Sequence, residues 1–297
     1  MIVHLPAEFE KNSIHDFLNE VIDTNMMPKS QKIEFDFRGL RFIEPTAISL
    51  LSNIFDWLRN RGVTTTVTYP RIFGVEKNCP IKYLDDSLFF REHFNQTLAP
   101  NATPRLTTIP IQKVAYAHSL QWLDNKLAPW LSRCLNVDTS ALHTIKMCIG
   151  ELFNNIKDHS TENIGCLCAQ HYPSKNEIKI AISDFGVGIP SNIRKVHNPK
   201  TDSEALELAI QDKVTSKTSP RNLGAGLHTL ITNVVQQNKG IVHLISNYGI
   251  LSCTRGYNGV NTFPRDGDGF YPGTFIEVVL KTDTIYAILD IEEEFEW

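Results

Sequence analysis

The sequence predicts an α/β protein in two parts, an N-terminal domain of alternating strands and helices and a C-terminal domain of helices and strands. Three observations point there. The 297 residues suffice for two cores at about 100–200 residues per domain. Apolar residues alternate between a period of two and helical spacing over short stretches. Between Thr97 and Pro110, Pro100, Pro104 and Pro110 punctuate Asn, Thr and Arg residues, a connector composition. The expected partition is a first domain over 1–95, a linker over 96–110, a second domain over 111–285 and an acidic tail over 286–297.

Charge and composition narrow the function classes. Twenty-nine basic and 33 acidic groups give a net charge of −4, with 42% hydrophobic and 21% charged residues. That excludes collagen, coiled-coil and disordered classes and argues against nucleic acid as the partner of the whole chain. No apolar run reaches the length of a spanning helix, and Met1 to Pro6 lacks the flanks of a secretory signal. The expectation is a cytoplasmic protein with no membrane partner. Of six cysteines, Cys166 and Cys168 share a strand face, yet no CxxC or spaced His pair completes a metal site. All six read as reduced packing thiols.

In the N-terminal part, Ile2 to Leu5 reads as a short strand, and residues 9–24 carry Phe9, Ile14, Phe17, Leu18, Val21 and Ile22 at helical spacing. Ile33 to Phe37 alternates as a half-buried strand. A helix follows from Ala47 to about Arg61, with Pro45 in its first turn, where a missing N–H costs nothing. Gly62 ends it and Val63 to Tyr69 is Thr/Val-rich, a strand composition. In the C-terminal part, residues 114–135 and Thr139 to His159 read as helices, and 165–172 and 177–183 as a strand pair.

The chemistry gathers in the C-terminal part. At about 100° per residue, Glu151, Asn155, Asp158 and His159 fall in one sector of their helix, opposite the stripe Ile149, Leu152, Phe153 and Ile156. Such a face is either simply solvated or sets a carboxylate and an amide carbonyl one turn apart, able to share a hard cation and a polarised oxygen nucleophile. The strand Glu177 to Ser183 then runs into Asp184-Phe185-Gly186-Val187-Gly188. An acidic residue at a strand end accepts from an exocyclic amine, and glycines let backbone approach a flat ring. Asn222 to Leu227, with Gly224 and Gly226, opens a helix carrying Leu227, Leu230, Ile231, Val234 and Val235, ended at Asn238-Lys239-Gly240. Glycines at a helix start free N–H groups for phosphate. Gly273-Thr274 precedes the strand Ile276 to Leu280.

The ordered set Glu151-x₃-Asn155, Asp184-x-Gly186-x-Gly188, Gly224-x-Gly226 and Gly273-Thr274 resembles the GHKL ATPase superfamily over residues 110–282, and its spacing with His159 is similar to the anti-sigma-factor serine kinases. The resemblance implies the Bergerat fold, an α/β sandwich of a mixed sheet and a helical layer that binds ATP and Mg²⁺. It casts Glu151 as the general base and Asn155 as the Mg²⁺ ligand, with Asp184 reading the adenine amine. Gly186 and Gly188 would line the adenine pocket, Gly224 and Gly226 would cradle phosphates, and Thr274 would support the adenine end. The stretch 191–223, with Lys213, Lys217 and Arg221, would be a lid, and a homodimer is expected.

The segment Asp36 to Thr46 with its following helix resembles the STAS domain of anti-sigma-factor antagonists. Thr46 is thereby the candidate phospho-acceptor, although Glu44, Pro45 and Ala47 stand where that family has Asp, Ser and Gly. The expected function is an ATP- and Mg²⁺-dependent regulator with a protein partner, hydrolysing ATP slowly or transferring phosphate to a protein Ser/Thr. A nucleotide-gated interaction module without turnover is the alternative, ahead of a dimerising mechanochemical ATPase.

Overall fold

The computed structural model describes residues 1–70, 79–159, 164–211, 225–257 and 259–289, with the side chains of 155–159, 164 and 225 outside that set. It is a mixed α/β protein built on two principal sheets. The first half runs β1 (Ile2–His4), β2 (Glu8–Phe9), α1 (Ile14–Val21), β3 (Lys32–Asp36), β4 (Phe42–Ile43), α2 (Pro45–Asn60), β5 (Thr64–Thr68), α3 (Pro80–Asp86) and α4 (Phe89–Phe94). Strands β1, β3 and β5 form a three-stranded parallel sheet in the order β1-β3-β5. Helix crossovers between them follow from the alternating pattern, since parallel neighbours need a long connection. Pro45 does occupy the first turn of α2, and Gly62 takes a φ of 72° at its end.

The second half begins inside the stretch expected as a connector. Residues Thr108–Ala115 form β6, the edge of a five-stranded sheet, where the sequence reading put linker and then helix from 114. In β6 Ile109 and Val114 face one core and Ile111 the other, across a register shift between Ile109 and Gln112, a broken alternation further obscured by Pro110 inside the strand. Helical residues resume at Tyr116 and continue through α5 (Ser119–Trp122) and α6 (Ala128–Leu135) to α7 (His143–His159). Strands β7 (Ile164–Tyr172) and β8 (Glu177–Phe185) follow, then α8 (Gly188–Ile193), α9 (Asp202–Ala209), α10 (Ala225–Ile231), β9 (Ile241–Gly256) and β10 (Gly259–Lys281). The sheet order is β6-β7-β8-β10-β9. Every pairing in it is antiparallel, so the mixed sheet expected there is corrected. Short turns after β7 and β9 return the chain at once and leave no room for crossovers.

Sheet alternation divides the core in two. Leu167, Ala169, Ile178, Ile180, Ile182, Ile276 and Val278 face one way, against Ile145, Ile149, Leu152 and Phe153 of α7 and Leu230 of α10. Their neighbours Cys166, Cys168, Ala181 and Phe275 face the other way and join a cluster with Leu50, Leu51, Ile54 and Phe55 of α2. Helix α2 is thus pressed between the parallel sheet and the five-stranded sheet, and one apolar cluster contains residues of both halves. Cys166 and Cys168 lie in it as uncharged thiols, burial pushing Cys166 up to about 12.

Three further expectations change. Residues 191–193 and 202–209 of the anticipated lid belong to helices α8 and α9, with Ile193, Ala205 and Leu206 in the core. The anticipated tail begins too early, because Thr282–Ile288 is a 3₁₀ helix that buries Ile285 and Ile288. At 238–240 the left-handed residue is Lys239, with φ 59°. Gly240 is needed for space, since a Cβ there would stand 2.2 Å from the Val279 carbonyl oxygen. Among the described residues no helix is long and apolar enough to cross a membrane.

Candidate functional site

Asp184 stands near the end of β8 and is 3% exposed. Its register partner on β10 is Thr274, whose backbone N–H donates to Asp184 Oδ1 at 2.6 Å. Burial pushes this carboxyl up to about 7, and the Thr274 N–H only partly opposes the rise. A carboxylic group so placed is costly unless it meets further donors. The backbone N–H of Asp184 itself pulls in the same direction as that of Thr274.

The backbone around Asp184 is shaped for close approach. Gly273 has φ 147°, and a Cβ on it would sit 2.2 Å from the Asp184 carbonyl oxygen. Gly188 has φ 79° at the start of α8, and a Cβ there would meet Asn247 Oδ1 at 2.5 Å and Ser246 Oγ at 2.7 Å. No L side chain fits either position without moving its neighbours. The Gly186 N–H donates to the Pro272 carbonyl at 3.4 Å.

Two residues that the sequence reading missed hold this corner. Ser246 Oγ donates to the Gly273 carbonyl at 2.7 Å and accepts from the Ile189 N–H at 3.0 Å. It lies 3.2 Å from Thr274 Oγ1. Asn247, at φ 54°, donates through Nδ2 to the Val187 carbonyl and to Ser191 Oγ, each at 3.3 Å. Its buried Oδ1 has no partner among the described residues. The only sequence signal was an Asn-Tyr-Gly turn composition at 247–249, inside what proved to be an unbroken strand.

Glu151 projects from α7 toward the start of α10. A Cβ on Gly226 would come within 2.6 Å of Glu151 Oε2, so the glycine lets α10 close directly onto the carboxylate. Leu227, Leu230, Ile231, Val234 and Val235 are all buried, which fixes α10 and the turns after it against α7. Glu151 itself is half-buried. Its negative charge adds to burial in holding the Cys148 thiol up at about 11. Asn155 lies on α7, but its side chain, together with Gly224, Lys213, Lys217 and Arg221, falls outside the described residues. The structure therefore assembles Asp184, Gly186, Gly188 and Thr274 in one corner, and Glu151 with Gly226 in a second contact.

Scanned against protein-family models the chain matches none, and no curated protein matches it. The functional reading rests on the residues themselves.

Thr46 is far from exposed. It is 0% accessible at the N-terminus of α2, and its hydroxyl donates to Glu277 of β10, itself 1% accessible. Around this contact lies a polar network across the seam between the halves. Lys179 Nζ donates to Glu44 Oε1 at 2.7 Å, and Lys11 Nζ lies 2.7 Å from His243 Nε2. Burial and the neighbouring lysines hold His243 down near 3, so it is neutral. Burial pushes Glu277 up to about 7, against the pull of Lys179. A hydroxyl in this position is closed to an outside kinase while the halves are packed together.

A second link crosses the same seam. Asn53 of α2 donates through Nδ2 to Tyr271 Oη at 3.0 Å, and Tyr271 Oη donates in turn to the Asp184 carbonyl at 3.4 Å. The first half is thereby linked through Tyr271 to the backbone of the candidate site residue.

Proposed function

We propose that this protein is an ATP- and Mg²⁺-dependent regulator, with a GHKL-like nucleotide domain in its second half and a STAS-like domain in its first. The observation that carries the reading is Asp184: a buried carboxyl at a strand end, oriented by the Thr274 N–H and flanked by Gly273 and Gly188, where backbone approaches closely. This set suits a flat base bearing an amine, because the carboxylate accepts a hydrogen bond from the amine and the glycines let the backbone close up around that carboxylate.

The remaining residues take roles from their positions. Glu151, half-buried and set against Gly226, accepts a proton from a water or hydroxyl held beside it. Asn155, one turn further along α7, offers an amide oxygen to a hard cation. Gly226, at the start of α10, leaves backbone N–H groups open to phosphate oxygens. Bound Mg²⁺·ATP would supply a transferable phosphoryl group with its charge partly neutralised. Ser246 and Asn247 keep the corner in shape by bonding the backbone on both of its sides.

The burial of Thr46 favours one specific version of this function. With the acceptor hydroxyl donating to Glu277, the first half serves as a docked partner surface, and nucleotide occupancy reaches it through Asp184, Tyr271 and Asn53. The acceptor of any phosphate is then another chain, or the protein acts as a gated interaction module.

Incubation with γ-labelled ATP and Mg²⁺, read for both protein label and free phosphate, tests these versions. Free phosphate without protein label is expected from an ATPase whose acceptor is elsewhere. Label that disappears in Thr46→Ala would require the halves to separate. ATP binding with neither product would leave the gated module. Absence of ATP binding would overturn the proposal.

A further inference from the structure

The seam between the halves opens on one side into a pocket of about 280 Å³, apart from the Asp184 corner. The first half contributes Arg41, Phe42 and Tyr83, and the second contributes Arg105, Gln170 and Tyr172. One guanidinium is already fixed. Arg105 lies over the Tyr83 ring, 5.1 Å from its centroid, and Arg105 Nε donates to Asp86 Oδ2 at 3.3 Å. Tyr83 Oη donates to Gln170 Oε1 at 3.1 Å, so the wall beneath is fixed as well.

Arg41 is different. It is exposed and has no ion pair among the described residues. No Asp or Glu lines the pocket among those residues. Asp86, behind Arg105, is shared with Lys82. Beside Arg41, Phe42 leaves 39% of its surface exposed, an apolar face next to a cation with no ion pair among the described residues. The lining thus joins guanidinium donors to aromatic walls. Guanidinium binds carboxylate or phosphate through paired N–H groups, while Phe and Tyr rings cover a flat apolar body.

We propose that this pocket binds a compact aryl oxyanion, with Arg41 capturing its charge and Phe42, Tyr83 and Tyr172 covering its ring. Because its walls come from both halves, occupancy ties them together. The pocket borders the seam network through Tyr172, whose ring lies 5.8 Å from Lys179 Nζ, the partner of Glu44.

The test is isothermal titration of the full chain with phenyl phosphate and with benzoate. Neutral benzyl alcohol and inorganic phosphate serve as controls, and thermal melts run in parallel. One-to-one saturable binding is expected for at least one aryl anion, with a rise in melting temperature. Benzyl alcohol and inorganic phosphate should each bind at least about tenfold more weakly. Arg41→Gln should weaken the aryl anion by about tenfold or more, and Arg41→Lys should restore part of the loss. Arg41 is exposed, so a melt without ligand will show both variants folded. The relative strength of phenyl phosphate and benzoate distinguishes a phosphate from a carboxylate ligand. Any of four results would overturn the proposal: no saturable binding of either aryl anion at millimolar concentration, equal affinity in Arg41→Gln, inorganic phosphate binding as well as phenyl phosphate, or displacement of the aryl anion by excess Mg²⁺·ATP.

Discussion

Helices α2 and α7 lie on opposite faces of the five-stranded sheet, and each carries a residue assigned a chemical role. Their surroundings differ completely. Helix α2 is buried on nearly every side, from Pro45 through Phe55, including its polar Thr46, Ser49, Ser52 and Asn53. Helix α7 buries one stripe, Ile145, Cys148, Ile149, Leu152 and Phe153, and leaves Met147 46% exposed. A motif residue on α7 can meet a ligand, whereas one on α2 can meet only the rest of the protein. The same kind of sequence signal, a polar residue on a helix in a family-like context, therefore supports chemistry at Glu151 and docking at Thr46.

The largest expected effect tests the accessible helix. Glu151→Ala should lower phosphate release or transfer by about 10²–10⁴-fold, the usual scale for a general base, while nucleotide affinity stays close to that of the unaltered protein. Steady-state turnover beside equilibrium titration will separate the two. Full turnover in the variant would remove the base assignment and erase the functional difference between α7 and α2.

Next comes the packed helix. Leu51 of α2 is 0% exposed, and Leu51→Ala should cost about 2–5 kcal/mol through lost burial and the cavity left behind. Met147→Ala on the open face of α7 should stay within about 0.5 kcal/mol. Denaturant melts of the two variants will decide. Equal losses would mean that α2 is not held between two sheets.

The contrast also explains which parts of the structure the sequence disclosed. The stripe Leu227, Leu230, Ile231, Val234 and Val235 was readable because a single face is buried, and periodicity reports single faces. The burial of α2 on all sides was hidden, since Ser49, Ser52 and Asn53 on its second face look like solvent positions. Only knowledge of the opposing strands, with small Ala181 and Ser183 facing α2, reveals room for them. Strand β6 was masked by its prolines and by the helical residues directly after it. Asp184, Gly188 and Thr274 were legible because strand ends and required glycines are local features. Ser246 and Asn247 were not, because their partners Gly273 and Val187 are remote in sequence. The Thr46–Glu277 contact spans 231 positions, and no local pattern encodes it.

A smaller effect is expected at Asp184. Asp184→Asn replaces an acceptor-only carboxylate with an amide that can also donate, and should weaken adenine nucleotide binding about tenfold at pH 8. In the unaltered protein affinity should rise with pH through about 7, as the buried carboxyl loses its proton and becomes a full acceptor. The variant should lack that rise. Titrations at pH 6 and pH 8 on both proteins will show it, and identical pH profiles would exclude Asp184 from the binding step.

The smallest effect concerns the seam itself. Glu277 is raised from an ordinary value of 4.5 to about 7, first by burial and then by Glu44, against Lys179 and Lys11. His243 is neutral beside it, and Thr46 donates to it. As pH rises from about 4.5, the unfolded chain releases this proton while the native protein keeps it, so stability falls until about pH 7 and then levels. Asp184 contributes with the same sign from its own lower starting point of 3.8. Glu277→Gln keeps an acceptor for Thr46 and removes the Glu277 titration. Relative to the unaltered protein, the variant's melting temperature should therefore rise progressively between pH 5 and pH 7, with a gain on the order of 1 kcal/mol at pH 8. A variant that is destabilised at pH 8 would mean that the ionised carboxylate, paired across the seam with lysine, holds the halves together. In that case the buried side of the sheet is an electrostatic clamp, and the distinction between α2 as packing and α7 as chemistry would need a charge on both faces.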